Sequence, residues 1–244
     1  MSARMSRWLL CRKRRPDASL RLYCFPHSGA SPGEYLRWGD RLPDIEVLGL
    51  QYPGRGNRMA EPPFTQMSDL VNAIVAEATF DTPFVFFGHS LGALTAYETA
   101  RTLRDSGRAQ PAFLLVSALR APHMAHMRAH ELDDSQLMGS IEKNFGPLST
   151  AINEDPELRQ ATLACLRADS TILETYCPTP APPMDFPILA LGGESDEETV
   201  YLPTWADYST HPLTRHILPG DHFYLRQEID SIMRIIADAV SRYI

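Results

Sequence analysis

Three short stretches of this sequence carry residues whose types and spacing suit nucleophilic chemistry. The first is Phe84-Val-Phe-Phe-Gly88-His-Ser90-Leu-Gly92, a G-x-S-x-G placed after an apolar run and before a helical pattern. A strand-to-helix turn of this kind forces the serine into a strained backbone conformation, so its neighbours must be small. Gly88 and Gly92 meet that need, and Ser90 becomes the candidate nucleophile. A serine hydroxyl needs a positioned base. His222, in Leu218-Pro-Gly220-Asp-His222-Phe, follows a predicted strand on a glycine-containing loop, whereas His216 falls inside that strand. The third partner should follow the preceding strand, because in this arrangement the chain order is Ser, acid, His. Glu194-Ser-Asp196-Glu197-Glu198 supplies four carboxylates there. Asp196 is the choice and Glu194 its main rival. Attack on a carbonyl also needs backbone donors for the oxyanion. Leu91 N–H, directly after the nucleophile, is one candidate. Ser28 N–H, in the small-residue loop Phe25-Pro-His27-Ser28-Gly29-Ala30, is the other.

The elements that must hold these residues alternate between short apolar runs and helical patterns, as in a mostly parallel sheet covered by helices. Strands are expected at Leu20–Phe25, Ile45–Gln51, Phe84–Phe87, Ala112–Ser117, Ile188–Leu191 and Arg215–Leu218. Several lack polar alternation and should be buried on both faces. Helices are expected over Ser68–Ala78, from Ser90 to Ser106 with Gly107 as terminator, and over Ile229–Tyr243. Residues from about 120 to 187 break the rhythm. They hold one helical pattern from Asp133–Asp134 to Gly146 and another from Asp155-Pro156 to about Tyr176. Five prolines within Cys177–Pro187 then make a stiff tether. The expectation is a single α/β domain over residues 1–244 with a helical lid inserted at about 120–187. Met138 and the nearby Met124 and Met127 either line an adaptable pocket beneath it or pack as ordinary core residues.

Composition bounds the rest. The 244 residues are 44% hydrophobic and 22% charged, as in an ordinary globular protein. No apolar run approaches the roughly 20 residues that cross a bilayer. The apolar part of the N-terminal stretch, Trp8–Cys11, is too short for a secretion signal. A cytoplasmic protein with no membrane partner is expected. Cys11, Cys24, Cys165 and Cys177 fall at no metal-ligand or redox spacing. Residues 1–21 hold six Arg and one Lys against Asp17, which leaves −13 on the remainder of a chain whose net charge is −7. That acidic body argues against a nucleic-acid partner, and the basic start reads as a frayed, solvated segment. His123, His126 and His130 could share a helix face but lack a metal signature. With no dinucleotide or P-loop fingerprint either, no metal and no cofactor are expected.

With those residues in place, the chain resembles the type II thioesterases, free-standing editing hydrolases of polyketide and nonribosomal peptide assembly lines. The resemblance rests on Cys24-Phe-Pro-His-Ser-Gly-Ala, Gln51-Tyr-Pro-Gly-Arg55-Gly-Asn-Arg58, Gly88-His-Ser-Leu-Gly92, Leu166-Arg-Ala-Asp169 and Pro219-Gly-Asp-His222-Phe. It implies an α/β-hydrolase fold with a helical lid, and a triad of Ser90, Asp196 and His222. The partner it implies is an acyl or peptidyl carrier protein presenting a phosphopantetheine-bound acyl group. Two departures stand out. The oxyanion loop reads His-Ser-Gly-Ala where the family usually has His-Ala-Gly-Gly, and the loop after Gly193 is one residue longer after its Asp, which keeps Glu197 and Glu198 open as the acid. Docking is expected to use local basic groups, either the Arg12–Arg15 cluster or Arg55 and Arg58. The alternative is that Arg55 and Arg58 pair with nearby carboxylates and stiffen their loop. A general serine esterase or lipase, or a non-catalytic binding protein on the same scaffold, are the competing readings.

Overall fold

The computed structural model describes residues 6–81, 83–124, 132–145 and 150–244. In chain order its elements are β1 (Leu9–Cys11), β2 (Leu20–Phe25), α1 (Gly33–Leu36), β3 (Ile45–Leu50), α2 (Met67–Glu77), β4 (Phe84–His89), α3 (Leu91–Asp105) and β5 (Leu114–Ser117). Then follow α4 (Asp134–Phe145), α5 (Thr150–Glu154), α6 (Pro156–Thr175), β6 (Ile188–Gly193), β7 (Thr214–Leu218) and α7 (Ile229–Tyr243). The strands form one sheet in the order β1-β3-β2-β4-β5-β6-β7, parallel throughout except where β1 meets β3. The order reverses at β2, whose neighbours are β3 and β4. In open parallel sheets such a reversal opens a crevice at the carboxyl ends of the strands.

Strand β4 shows why the sheet carries almost no polar alternation. Phe84 and Phe86 point into a core with Leu70, Ile74 and Leu94 from α2 and α3, while Val85 and Phe87 point into a second core with Trp38, Ile232 and Ile236. Both faces are therefore covered, and each fully buried large apolar side chain is worth roughly 1.5–3 kcal/mol over an exposed one. The stripe expected on α7 packs as Ile232, Met233, Ile235, Ile236 and Ala239.

The N-terminal stretch departs from expectation. It does not fray: Leu9–Cys11 pairs antiparallel with β3, and Trp8 is buried. Its cations are held by acids, with Lys13 and Arg12 on Asp40 and Arg14 on Glu46.

Between β5 and β6 the described residues form three helices and no strand of the sheet. Helix α6 starts as its sequence dictates, with Asp155 accepting hydrogen bonds from the Glu157 and Leu158 N–H groups and Pro156 in the first turn. Met138 packs with Leu137 and Leu163 in a small core internal to this segment, so it is a structural contact of α4 and α6 rather than an exposed lining residue. Met127, His126 and His130 lie outside the described residues, as does the expected α4 terminator Gly146.

Candidate active site

Ser90 sits between β4 and α3 with φ 53° and ψ −124°. A positive φ at a non-glycine residue costs about 1–3 kcal/mol and persists only where the surroundings impose it. Here Ser90 N–H donates to Ser117 O of β5 at 2.8 Å, and Ala93 N–H donates to Ser90 O at 2.8 Å. The flanking glycines are steric requirements: a Cβ on Gly88 would lie 2.2 Å from Gly92 O, and one on Gly92 would lie 2.0 Å from Phe25 O. The second contact seats the head of α3 directly against the end of β2 and the loop that follows it.

The acid and base loops are brought together in the same way. A Cβ on Gly193, at the end of β6, would lie 2.3 Å from Asp221 O. That approach lets the Asp196 carboxylate reach His222, with Oδ2 3.0 Å from Nδ1. Both side chains are largely buried. Asp196 is turned inward because its Oδ1 also caps the following 3₁₀ segment, accepting from Glu198 N–H at 3.1 Å. The other carboxylates are occupied or point outward: Glu198 binds Arg120 through a bidentate pair, and Glu194 and Glu197 are exposed. The His222 ring lies 5.1 Å from that of His89, the residue immediately before Ser90. Asp196 and His222 thus meet at the carboxyl edge of the sheet, with the His222 ring close to the residue that precedes Ser90.

Around them lies a layer of rings and hydroxyls built on His27 and His89. His89 Nδ1 is 2.8 Å from Ser117 Oγ, which is 2.6 Å from Tyr224 OH. His27 Nδ1 is 2.8 Å from Tyr35 OH. Burial first, and then the charges of Arg226, His222 and Arg55, push His27 down to about 3. Burial likewise holds His89 well below the usual imidazole range. Both rings stay neutral at physiological pH. The unfolded chain takes up protons at these positions below about pH 6.5, whereas the folded chain resists, so the stability they permit is present above pH 6.5 and is lost as pH falls. Each ring contributes up to about 1.4 kcal/mol per pH unit. Denaturant midpoints measured between pH 7 and 5 should fall, and His27→Gln should make that fall shallower.

In the loop after β2, Ala30 N–H donates to His27 O at 3.0 Å and Gly29 N–H to Asp169 Oδ2 at 2.7 Å. Ser28 N–H has no hydrogen-bond partner among the described residues. Leu91 opens α3, and the first N–H groups of a helix lack intrahelical acceptors.

The expected docking arginines are not available to a partner. Arg55 is buried, donating from both terminal nitrogens to Asp169 at 2.6 and 2.8 Å. Arg58 is also buried. It binds Glu61 through two nitrogens, donates to Gln51 O, and lies 4.3 Å over the Trp8 ring. The acid partner of Arg58 is three residues on, whereas that of Arg55 is 114 residues away, and sequence distance carries no sign of it. The carboxylate-pairing alternative is the arrangement found. In the Arg12–Arg15 cluster Arg15 donates to Ile45 O and Gly39 O, while Arg12 and Lys13 pair with Asp40 yet stay about half exposed. Among the described residues no group of three His, Cys, Asp or Glu side chains is placed to hold a metal ion, and no helix is long and apolar enough to cross a membrane.

A sequence model described as the thioesterase domain matches residues 20–240. The chain is 35% identical over 230 residues to thioesterase PikA5 of Streptomyces venezuelae, covering 91% of this chain and 82% of that one. It is 34% identical over 249 residues to linear gramicidin dehydrogenase LgrE of Brevibacillus parabrevis, covering 98% and 94%. The dehydrogenase in that name finds no glycine-rich dinucleotide fingerprint in this sequence. The structure superposes with a TM-score of 0.82 on BorB, a type II thioesterase from the borrelidin biosynthetic cluster, at 32% identity and 95% coverage of both chains. The chain belongs to the thioesterase family: it is a thioester hydrolase of the α/β-hydrolase fold, grouping with the type II thioesterases.

Proposed function

We propose that this enzyme removes aberrant or stalled acyl groups held as thioesters on the phosphopantetheine arm of an acyl or peptidyl carrier protein. The chemistry runs through an acyl-Ser90 intermediate. The observation that carries the mechanism is the Asp196–His222 pair at 3.0 Å beside a serine held at φ 53°. Asp196 fixes the proton on His222 Nδ1, leaving Nε2 to take the Ser90 hydroxyl proton. Oγ attacks the thioester carbonyl, and the resulting oxyanion is held by the N–H groups of Leu91 and Ser28. The C–S bond breaks as His222 returns the proton to the departing sulfur. Water, activated by the same histidine, then attacks the acyl-serine and releases the acid. Helix α6 and the rest of the inserted segment act as the lid of a single domain, and a cytoplasmic location fits a carrier-protein substrate.

The carrier preference has a direct test. One acyl group is presented on a carrier protein, on N-acetylcysteamine and as a matched oxyester. The carrier-borne thioester should give the highest kcat/KM, by about tenfold or more, since protein contacts add binding beyond the acyl chain. Equal values for carrier and N-acetylcysteamine substrates would sink the carrier assignment. Preferential turnover of the oxyester would favour a general esterase.

A further inference from the structure

We propose that Asp169 is a positioning residue for the oxyanion hole, tying the inserted helix α6 to the backbone that presents the Ser28 N–H. The inference rests on the assignment of Ser28 as a donor in the reading above. Asp169 is buried in α6, and its carboxylate accepts three hydrogen bonds. Oδ2 takes Gly29 N–H at 2.7 Å and one Arg55 nitrogen at 2.6 Å, while Oδ1 takes the other at 2.8 Å. One side chain therefore joins α6 to the loop after β2 and the loop after β3.

The contact falls one residue beyond the proposed donor. Gly29 has φ +74°, and a Cβ there would lie 2.6 Å from Leu166 Cδ2, one turn before Asp169 on the same helix. The loop is thus pressed onto α6 by Leu166 and fixed by Asp169. Its peptide planes are set from both sides. Ala30 N–H donates to His27 O at 3.0 Å, which orients the peptide whose N–H belongs to Ser28, and Asp169 holds the next N–H. Turning either plane would reorient the Ser28 N–H. Arg55 balances the charge of the buried carboxylate through both terminal nitrogens, while the Gly29 contact is made by Asp169 itself. Movement of α6 would then reach the oxyanion hole directly, so acyl-chain contacts on the inserted segment could alter rate as well as binding.

The experiment compares Asp169→Asn with wild type for kcat, KM and affinity for an alkyl boronic acid, whose serine adduct mimics the tetrahedral intermediate. A misaimed donor is expected to lower kcat by about 10–100-fold and boronate affinity by the same factor, with KM within about threefold and the pH profile of kcat/KM unmoved. Arg55→Lys weakens the same ion pair but leaves Asp169 on Gly29, and should lose far less kcat than Asp169→Asn. If Asp169→Asn does not fold, Arg55→Gln combined with Asp169→Asn leaves no unpaired buried charge and carries the same expectation. Unchanged boronate affinity in a folded variant, or equal kcat losses in Asp169→Asn and Arg55→Lys, would overturn the proposal. Ser90→Ala run alongside separates the two readings. If it is inactive while Asp169→Asn behaves as wild type, only the positioning role falls. If it still turns over, the serine mechanism falls and takes this inference with it.

Discussion

Ser90→Ala and His222→Ala should each lower kcat by about 10⁴–10⁶, and the double variant should be little worse than either. The near-equality is the informative part. Attack by Oγ and proton removal by His222 are one event, so removing either leaves only the background that binding and backbone donors supply. Both variants should fold: Ser90→Ala keeps a small side chain in the strained turn, and His222→Ala removes a single ring from the loop after β7. Asp196→Asn should also be severe, because an amide can favour the wrong imidazole tautomer. Near-normal turnover in Asp196→Asn, with a collapse in Glu194→Gln or Glu197→Gln, would show that the acid has been misassigned. Measured kcat and unfolding midpoints for the set distinguish lost chemistry from lost structure.

Arg55→Ala is expected to lower the free energy of unfolding by about 3–5 kcal/mol, a large share of the roughly 5–15 kcal/mol that holds a typical domain together. The cause is the Asp169 carboxylate, 2% exposed, left without its bidentate cation. The loss should appear as a lower denaturant midpoint, and any fall in kcat/KM should be the same for carrier-borne and small thioesters. A selective rise in KM for the carrier-borne substrate, with stability unchanged, would return Arg55 to the surface as a docking group.

The legible parts of this protein are those where local geometry restricts residue choice. The elbow is readable because only small residues fit at Gly88 and Gly92, each within 2.2 Å of backbone atoms once a Cβ is added. The buried strands are readable because helices cover both faces, so Phe84–Phe87 needs no polar alternation. The capped start of α6 is readable because Asp155 and Pro156 satisfy the helix N-terminus locally. What the sequence hides depends on partners far along the chain. Four carboxylates within five residues look equivalent until Arg120 takes Glu198 and the 3₁₀ segment turns Asp196 inward. Whether two arginines in a glycine-rich loop face a partner or pair with carboxylates stays open until Asp169 and Trp8 arrive from distant segments. The strand β1 is three residues long and flanked by cations, too short for alternation to show. The neutral layer of His27 and His89 gives no local sign either, because burial and not spacing sets it.

The central claim is hydrolysis through an acyl-Ser90 intermediate, and acid-quench mass spectrometry tests it most directly. Wild type and Asp196→Asn are mixed with excess acyl thioester, quenched during turnover and digested. The account predicts one added acyl group on the peptide that carries Ser90, formed and lost more slowly in Asp196→Asn, and absent from Ser90→Ala. An acyl group on any other side chain, or steady turnover with no protein-bound acyl group in either protein, would contradict it.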